Sequence, residues 1–253
     1  MSTVQTRVGT FVWHEQVSSE PAEAKEFYGQ LFGWGTEVFG EGEFDYAMIA
    51  VGEQTHGGYA KAMEGAPPPH WLGHVLVEST DETVEKAKAA GGTLLAGPFD
   101  MEGVGRMAIV ADPQGAFLGV YQRFSEGTGS EGVFVWDELG TTDADGAQRF
   151  YEEVFGWTTK DMGSDFGGYR IFDRAGGTGQ SVAGLMQNQN ENIPAMWTPY
   201  VGVEDTDATC AKAQELGATV IVEPMDVPTV GRFAILQDPQ GAVFGIIRGE
   251  PSA

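Results

Sequence analysis

Two places in the chain set an indole and a carboxylate two residues apart on a short alternating apolar run. These are Phe11-Val12-Trp13-His14-Glu15 and Phe134-Val135-Trp136-Asp137-Glu138. On a strand, side chains two apart share a face, so Trp13 lies beside Glu15 and Trp136 beside Glu138, with His14 pointing the other way. An indole offers a flat apolar wall and one N–H donor. A carboxylate next to it is a polar anchor; desolvated, it is a base suited to taking a proton next to a carbonyl. Arg106 and Arg232 also recur, in a chain with only 14 Lys and Arg. Each either pairs with Glu15 or Glu138 in a buried network or receives a ligand carboxylate. The four histidines, His14, His56, His70 and His74, all fall in the first half. No Gly-x-Ser-x-Gly, Ser-His-Asp grouping or phosphate loop accompanies them.

The elements that position these residues form a repeat. Residues 11–34 (FVWHEQVSSEPAEAKEFYGQLFGW) match 134–157 (FVWDELGTTDADGAQRFYEEVFGW), with Phe150 lying 123 positions after Phe27. Trp71 matches Trp197 and the Asp112-Pro113-Gln114-Gly115-Ala116 run matches Asp238–Ala242, both at 126. Three residues are therefore gained between Tyr46/Tyr169 and Trp71/Trp197. Each repeat reads strand, helix, three strands, then the same again: strands at 8–16, within 35–63, at 71–78, 93–100, 105–111 and 116–122, and helices at 20–32 and 80–90. Ser19 is the expected N-cap of the first helix, with Pro21 in its first turn. Gly33 and Gly156 suit a left-handed helix end. The fold class is α+β: two tandem domains, each a pair of βαβββ modules. The expected boundaries are 1–123 and 133–253, joined by a glycine-rich linker at 124–132.

Composition narrows the function. The net charge is −23, from 37 acids against 14 bases, which opposes nucleic-acid binding and anionic membranes. No apolar run is long enough to span a bilayer. The N-terminus lacks a basic region followed by an apolar core, so a cytoplasmic address is expected. The single cysteine, Cys210, is expected to be a packing residue. The expected partner is a small molecule, with homo-oligomerisation left open.

The Trp-x-Glu strands, the Phe-Tyr-x-x-x-Phe-Gly-Trp helices and the Asp-Pro-Gln-Gly-Ala turns together resemble the vicinal-oxygen-chelate superfamily. It includes glyoxalase I, bleomycin-resistance proteins and extradiol dioxygenases. The chain is most similar to its tandem two-domain branch, often labelled glyoxalase-like or "hydroxylase". The resemblance implies a curved mixed sheet in each domain, helices on the convex side and a ligand on the concave side. It also implies metal ligands on the first, fifth and eighth strands. Those positions here hold Trp13, His74 and Gly119 in the first domain and Trp136, Tyr200 and Gly245 in the second. Indole cannot ligate a divalent metal and glycine has no side chain, so no metal and no cofactor are expected. The glycines would instead enlarge the cleft, with Trp13, Phe117, Tyr121 and Trp136 as an aromatic wall. Pockets are expected from Trp13, Glu15, His74 and Tyr121 in one domain and Trp136, Glu138 and Tyr200 in the other. Three functions stand: a binder of an apolar or aromatic metabolite, an enzyme acting in domain one with Glu15 as base and His74 as partner, or a structural protein.

Overall fold

A computed structural model describes residues 8–40, 46–124, 132–175 and 180–250. Most of the expected linker, residues 125–131, lies outside the described residues. The first module runs β1 (Phe11–Ser18), α1 (Pro21–Phe32), β2 (Gly35–Phe39), β3 (Tyr46–Val51) and β4 (Gln54–Lys61). The second runs β5 (His70–Leu76), α2 (Thr80–Ala89), β6 (Thr93–Met101), β7 (Gly105–Ala111) and β8 (Phe117–Arg123). The third is β9 (Phe134–Thr141), α3 (Ala144–Phe155), β10 (Thr158–Asp161), β11 (Arg170–Asp173) and β12 (Ser181–Gln187). The fourth is β13 (Met196–Gly202), α4 (Thr206–Glu215), β14 (Thr219–Val227), β15 (Gly231–Gln237) and β16 (Val243–Gly249).

Each tandem half forms one eight-stranded mixed sheet. The orders are β2-β3-β4-β1-β5-β8-β7-β6 and β10-β11-β12-β9-β13-β16-β15-β14. The β1–β4 and β5–β8 pairs are parallel, because a helix lies within each crossover, whereas the hairpins are antiparallel. Packing groups the modules differently from sequence. One compact unit gathers the second and third modules and the other gathers the first and fourth, with breaks at Trp13/His14 and Leu72/Gly73.

Within each unit a buried chain of hydrogen bonds joins modules from opposite halves. The Trp197 indole donates to the Tyr151 hydroxyl at 2.9 Å, and Tyr151 donates to Asp112 Oδ2 at 3.1 Å. In the other unit Trp71 donates to Tyr28 at 2.9 Å and Tyr28 to Asp238 Oδ2 at 3.0 Å. Each aspartate also closes its own Asp-Pro-Gln-Gly turn: Asp112 Oδ1 accepts from the Gln114 and Ala116 amides, and Asp238 Oδ1 from those of Gln240, Gly241 and Ala242. Burial raises the pKa of both carboxyls, the tyrosine and amide donors pulling the other way. Cys210 is buried in the core of its unit, beside Ala213 and Phe244.

Three helices are capped by a side chain: Ser79 accepts from the Glu82 amide, Asp143 from Gly146 and Asp205 from Ala208. The first helix departs from expectation. Its N-cap is Glu20, without a side-chain bond, rather than Ser19, and Pro21 takes the first helical position, where no N–H needs a partner. Gly33 and Gly156 end α1 and α3 at φ 74° and 69°, the left-handed conformation that glycine adopts without strain.

Candidate functional site

Strand alternation sorts the first-strand residues as chemistry requires. On β1, His14, Gln16 and Ser18 are buried, whereas Trp13, Glu15 and Val17 are half-buried on the opposite face. On β9, Asp137, Leu139 and Thr141 are buried, leaving Trp136 and Glu138 on the other face. His14 stacks on Phe134 with centroids 4.2 Å apart. His56 is buried too, and burial lowers its pKa.

The glutamates are held by tyrosines that sequence reasoning did not select. Tyr46 donates to Glu15 Oε1 at 2.6 Å. Its ring lies against Gly58, the β4 residue in register with Glu15, and a Cβ there would collide with the phenol. In the second half Tyr169 lies over Gly184, in register with Glu138. The Trp136 indole donates to the Tyr169 hydroxyl at 2.9 Å, and Tyr169 donates to Glu138. The result is a directed array of indole, phenol and carboxylate. Burial first, then the charge of Glu138, raises the Tyr169 pKa far beyond the ordinary phenol range, so it stays a neutral donor. The signal for Tyr46 and Tyr169 was present, since both hold the same place in the repeat. Their glycine partners lie on another strand, and nothing local links them.

His70, at the start of β5, holds the Pro68 carbonyl through Nδ1 at 2.8 Å. Burial lowers its pKa, while the Pro68 carbonyl and the Glu15 charge pull it up.

The fifth to eighth strands of each half supply an apolar floor. In register across β6, β7 and β8 stand Phe99, Met107 and Tyr121, followed by Ile109 and Gly119, the latter paired with His74. Ala108, Val110, Leu118 and Val120 are core residues on the other face. In the second half Met225, Phe233 and Ile247 form the same row, with Ile235, Gly245 and Tyr200 beyond it. Tyr121 donates to the Val104 carbonyl at 3.0 Å. Gly119 and Gly245 do not open the cleft as expected. The His74 ring lies over Gly119 and the Tyr200 ring over Gly245, each so close that a Cβ would collide with it.

Both arginines find partners other than the expected glutamates. Arg106 forks onto Asp81, with Nε and Nη2 each at 3.0 Å, and reaches Asp100 at 2.8 Å. Arg232 does the same with Asp207 at 2.6 and 2.8 Å and Asp226 at 3.2 Å. Asp81 and Asp207 sit in the first turns of α2 and α4. The pairing with Glu15 and Glu138 is thus replaced by a clamp between helix and edge strand.

Of the expected site residues, Trp136 and Glu138 meet through Tyr169. Trp13, His74, Arg106, Tyr121, Trp136 and Glu138 belong to the unit of the second and third modules, and Glu15, Tyr200 and Arg232 to the other. A metal at the position used by the resembling family does not suit this donor set. The Trp136 N–H is committed to a phenol, and the fifth-strand rings sit on glycine where a carboxylate would have to stand. Among the described residues no three His, Cys, Asp or Glu side chains gather as a metal cage.

Sheet order, repeat and site geometry define a tandem βαβββ protein, and the chain belongs to the Glyoxalase/Bleomycin resistance protein/Dioxygenase superfamily, whose family model matches residues 10–120 and 134–246. Among relatives it is 38% identical over 256 residues, 97% of each chain, to "Putative glyoxylase CFP32" of Mycobacterium tuberculosis (strain CDC 1551 / Oshkosh). It is 30% identical over 269 residues to "Anthracycline biosynthesis protein DnrV" of Streptomyces peucetius, covering 97% of this chain and 96% of that one. Its fold is similar to the Mn(II)-bound glyoxalase from Novosphingobium aromaticivorans, with TM-score 0.65, 16% identity, and 96% and 82% of the two chains covered. It is likewise similar to the 2,3-dioxygenase LapB from Pseudomonas sp. KL28, with TM-score 0.61, 12% identity, and coverage of 96% and 94%.

Proposed function

We propose that this chain is a metal-independent, cytoplasmic binder of an apolar or planar aromatic metabolite, taken up on the open face of each sheet. The observation that carries this reading is the Trp136–Tyr169–Glu138 array, matched by Tyr46–Glu15 in the first half. A preset phenol and carboxylate beside an indole recognise a ligand hydroxyl and a flat ring together. The rows Phe99-Met107-Tyr121 and Met225-Phe233-Ile247, with Phe99 and Met225 exposed and the others half-buried, each offer apolar surface within their own unit. The DnrV relative, named for anthracycline biosynthesis, directs attention to polycyclic aromatic polyketides. Fluorescence titration with an anthracyclinone tests the proposal. Saturable quenching, with no turnover of the same compound, of catechol or of an α-oxoaldehyde, is the expected result.

One observation favours a second reading, an enzyme acting in the first half. Burial lowers the His70 pKa, but the Glu15 charge pulls it up, whereas the equivalent of His70 in the second half is Met196. Glu15 would then be the general base. Under that reading Glu15→Gln lowers turnover by about 10²-fold or more, and Glu138→Gln leaves it nearly intact. A purely structural or interaction role would leave every candidate ligand unbound.

A further inference from the structure

The two compact units are built alike but differ inside. In one, Leu139 of β9 lies in register with Leu185 of β12, both completely buried. The same pair in the other unit is Gln16 of β1 and Tyr59 of β4, with Ser18 two residues along the same face. Gln16 and Ser18 are 0% exposed and Tyr59 is 4% exposed. Gln16 Oε1, Ser18 Oγ and the Tyr59 hydroxyl have no hydrogen-bond partner in the protein. Three such atoms on one buried face are not tolerated dry, because each would carry the full desolvation penalty of a polar group.

The orientation of the glutamine is fixed. Its Nε2 donates to Asp238 Oδ2 at 3.3 Å and to Gln240 Oε1 at 3.4 Å, which turns Oε1 the other way. The Tyr59 ring stacks on Tyr28 with centroids 6.4 Å apart, so its phenol lies beside the Trp71–Tyr28–Asp238 chain. The other unit carries the equivalent Trp197–Tyr151–Asp112 chain with leucines in these places. The chain itself therefore does not require the extra polar groups.

We propose that the unit of the first and fourth modules holds ordered internal water between Gln16, Tyr59 and Ser18. Water is small enough for a helix–sheet interface. It donates to Gln16 Oε1 and accepts from the Tyr59 O–H, which is the complement these atoms lack. The site does not depend on the proposed ligand function.

The test is a crystal structure of the full chain at a resolution that shows ordered solvent, together with thermal unfolding of Tyr59→Phe. Density within hydrogen-bond distance of Gln16 Oε1 and Tyr59 O–H, and a melting temperature lowered by about 2–4 °C, are expected. A stranded phenol in a dry interior gives the opposite sign, because phenylalanine would relieve its desolvation. Absence of density, or an unchanged or raised melting temperature, overturns the proposal.

Discussion

Tyr28 donates its phenolic hydrogen to Asp238 across 210 positions of the chain, at 3.0 Å in the buried interior of one unit. Tyr151 and Asp112 repeat the bond in the other at 3.1 Å. The two halves of the sequence are thereby tied together within each unit, tyrosine from one half and turn aspartate from the other.

Tyr28→Phe should therefore destabilise the whole chain. It removes the donor to Asp238 and the acceptor of the Trp71 N–H, leaving two buried groups short of a partner at about 1–3 kcal/mol each. Urea unfolding checks this, and Tyr151→Phe should behave alike. An effect within about 0.5 kcal/mol, the range of surface substitutions, would show that the bond is dispensable.

The turn aspartates also predict a pH dependence. Burial raises the folded pKa of Asp112 and Asp238 above the ordinary carboxylate value. A carboxyl with a raised folded pKa binds its proton more tightly in the native state. Its contribution is then fully present below the unfolded pKa and is lost as pH rises through the folded one. The stability of the wild type relative to Asp238→Asn should fall as pH rises from below 3.8 toward neutrality, measured by urea unfolding at each pH. A relative stability that grows with pH would contradict the assignment.

Much of this architecture was legible because it was written twice. The matched Phe-Tyr helices and Asp-Pro-Gln-Gly turns revealed the four modules, and strict alternation placed Glu15 opposite His14. That Tyr28 of the first motif binds Asp238 of the second was not legible, since long-range partnership leaves no local periodicity. The arginines illustrate the same limit. Arg106 reaches Asp100 because β6 and β7 form a hairpin that sets the two in register, and Asp81 because α2 begins nearby. Charge balance alone suggested Glu15. Gly119 and Gly245 read as space, yet a glycine also lets a neighbouring ring settle onto the sheet, as His74 and Tyr200 do.

Gly119→Ala and Gly245→Ala should each displace that ring. A Cβ at either position meets the ring of His74 or Tyr200 well inside van der Waals contact. Overpacking of this kind costs about 1–3 kcal/mol. Thermal unfolding checks the cost, and near-UV circular dichroism of Gly245→Ala should report the altered setting of Tyr200. Unchanged stability and spectrum would mean that the ring moves freely.

Tyr46→Phe and Tyr169→Phe probe the proposed anchor without removing the carboxylate. Each leaves Glu15 or Glu138 with one donor fewer, and affinity for an aromatic ligand should fall about 10-fold, the scale of one hydrogen bond to a charged group. Calorimetric titration measures it, with far-UV circular dichroism as the control for folding. Unaltered affinity in both variants would remove the acid–phenol pairs from the binding face.

The most direct test of the central claim is calorimetric titration of chelator-treated protein with an anthracyclinone, beside the same titration with added Mn²⁺. Saturable binding that is the same in both is expected, weakened by about 1–3 kcal/mol in Trp13→Ala or Trp136→Ala, the scale of a buried aromatic contact. Binding that appears only with stoichiometric metal, or that ignores both tryptophans, would contradict it.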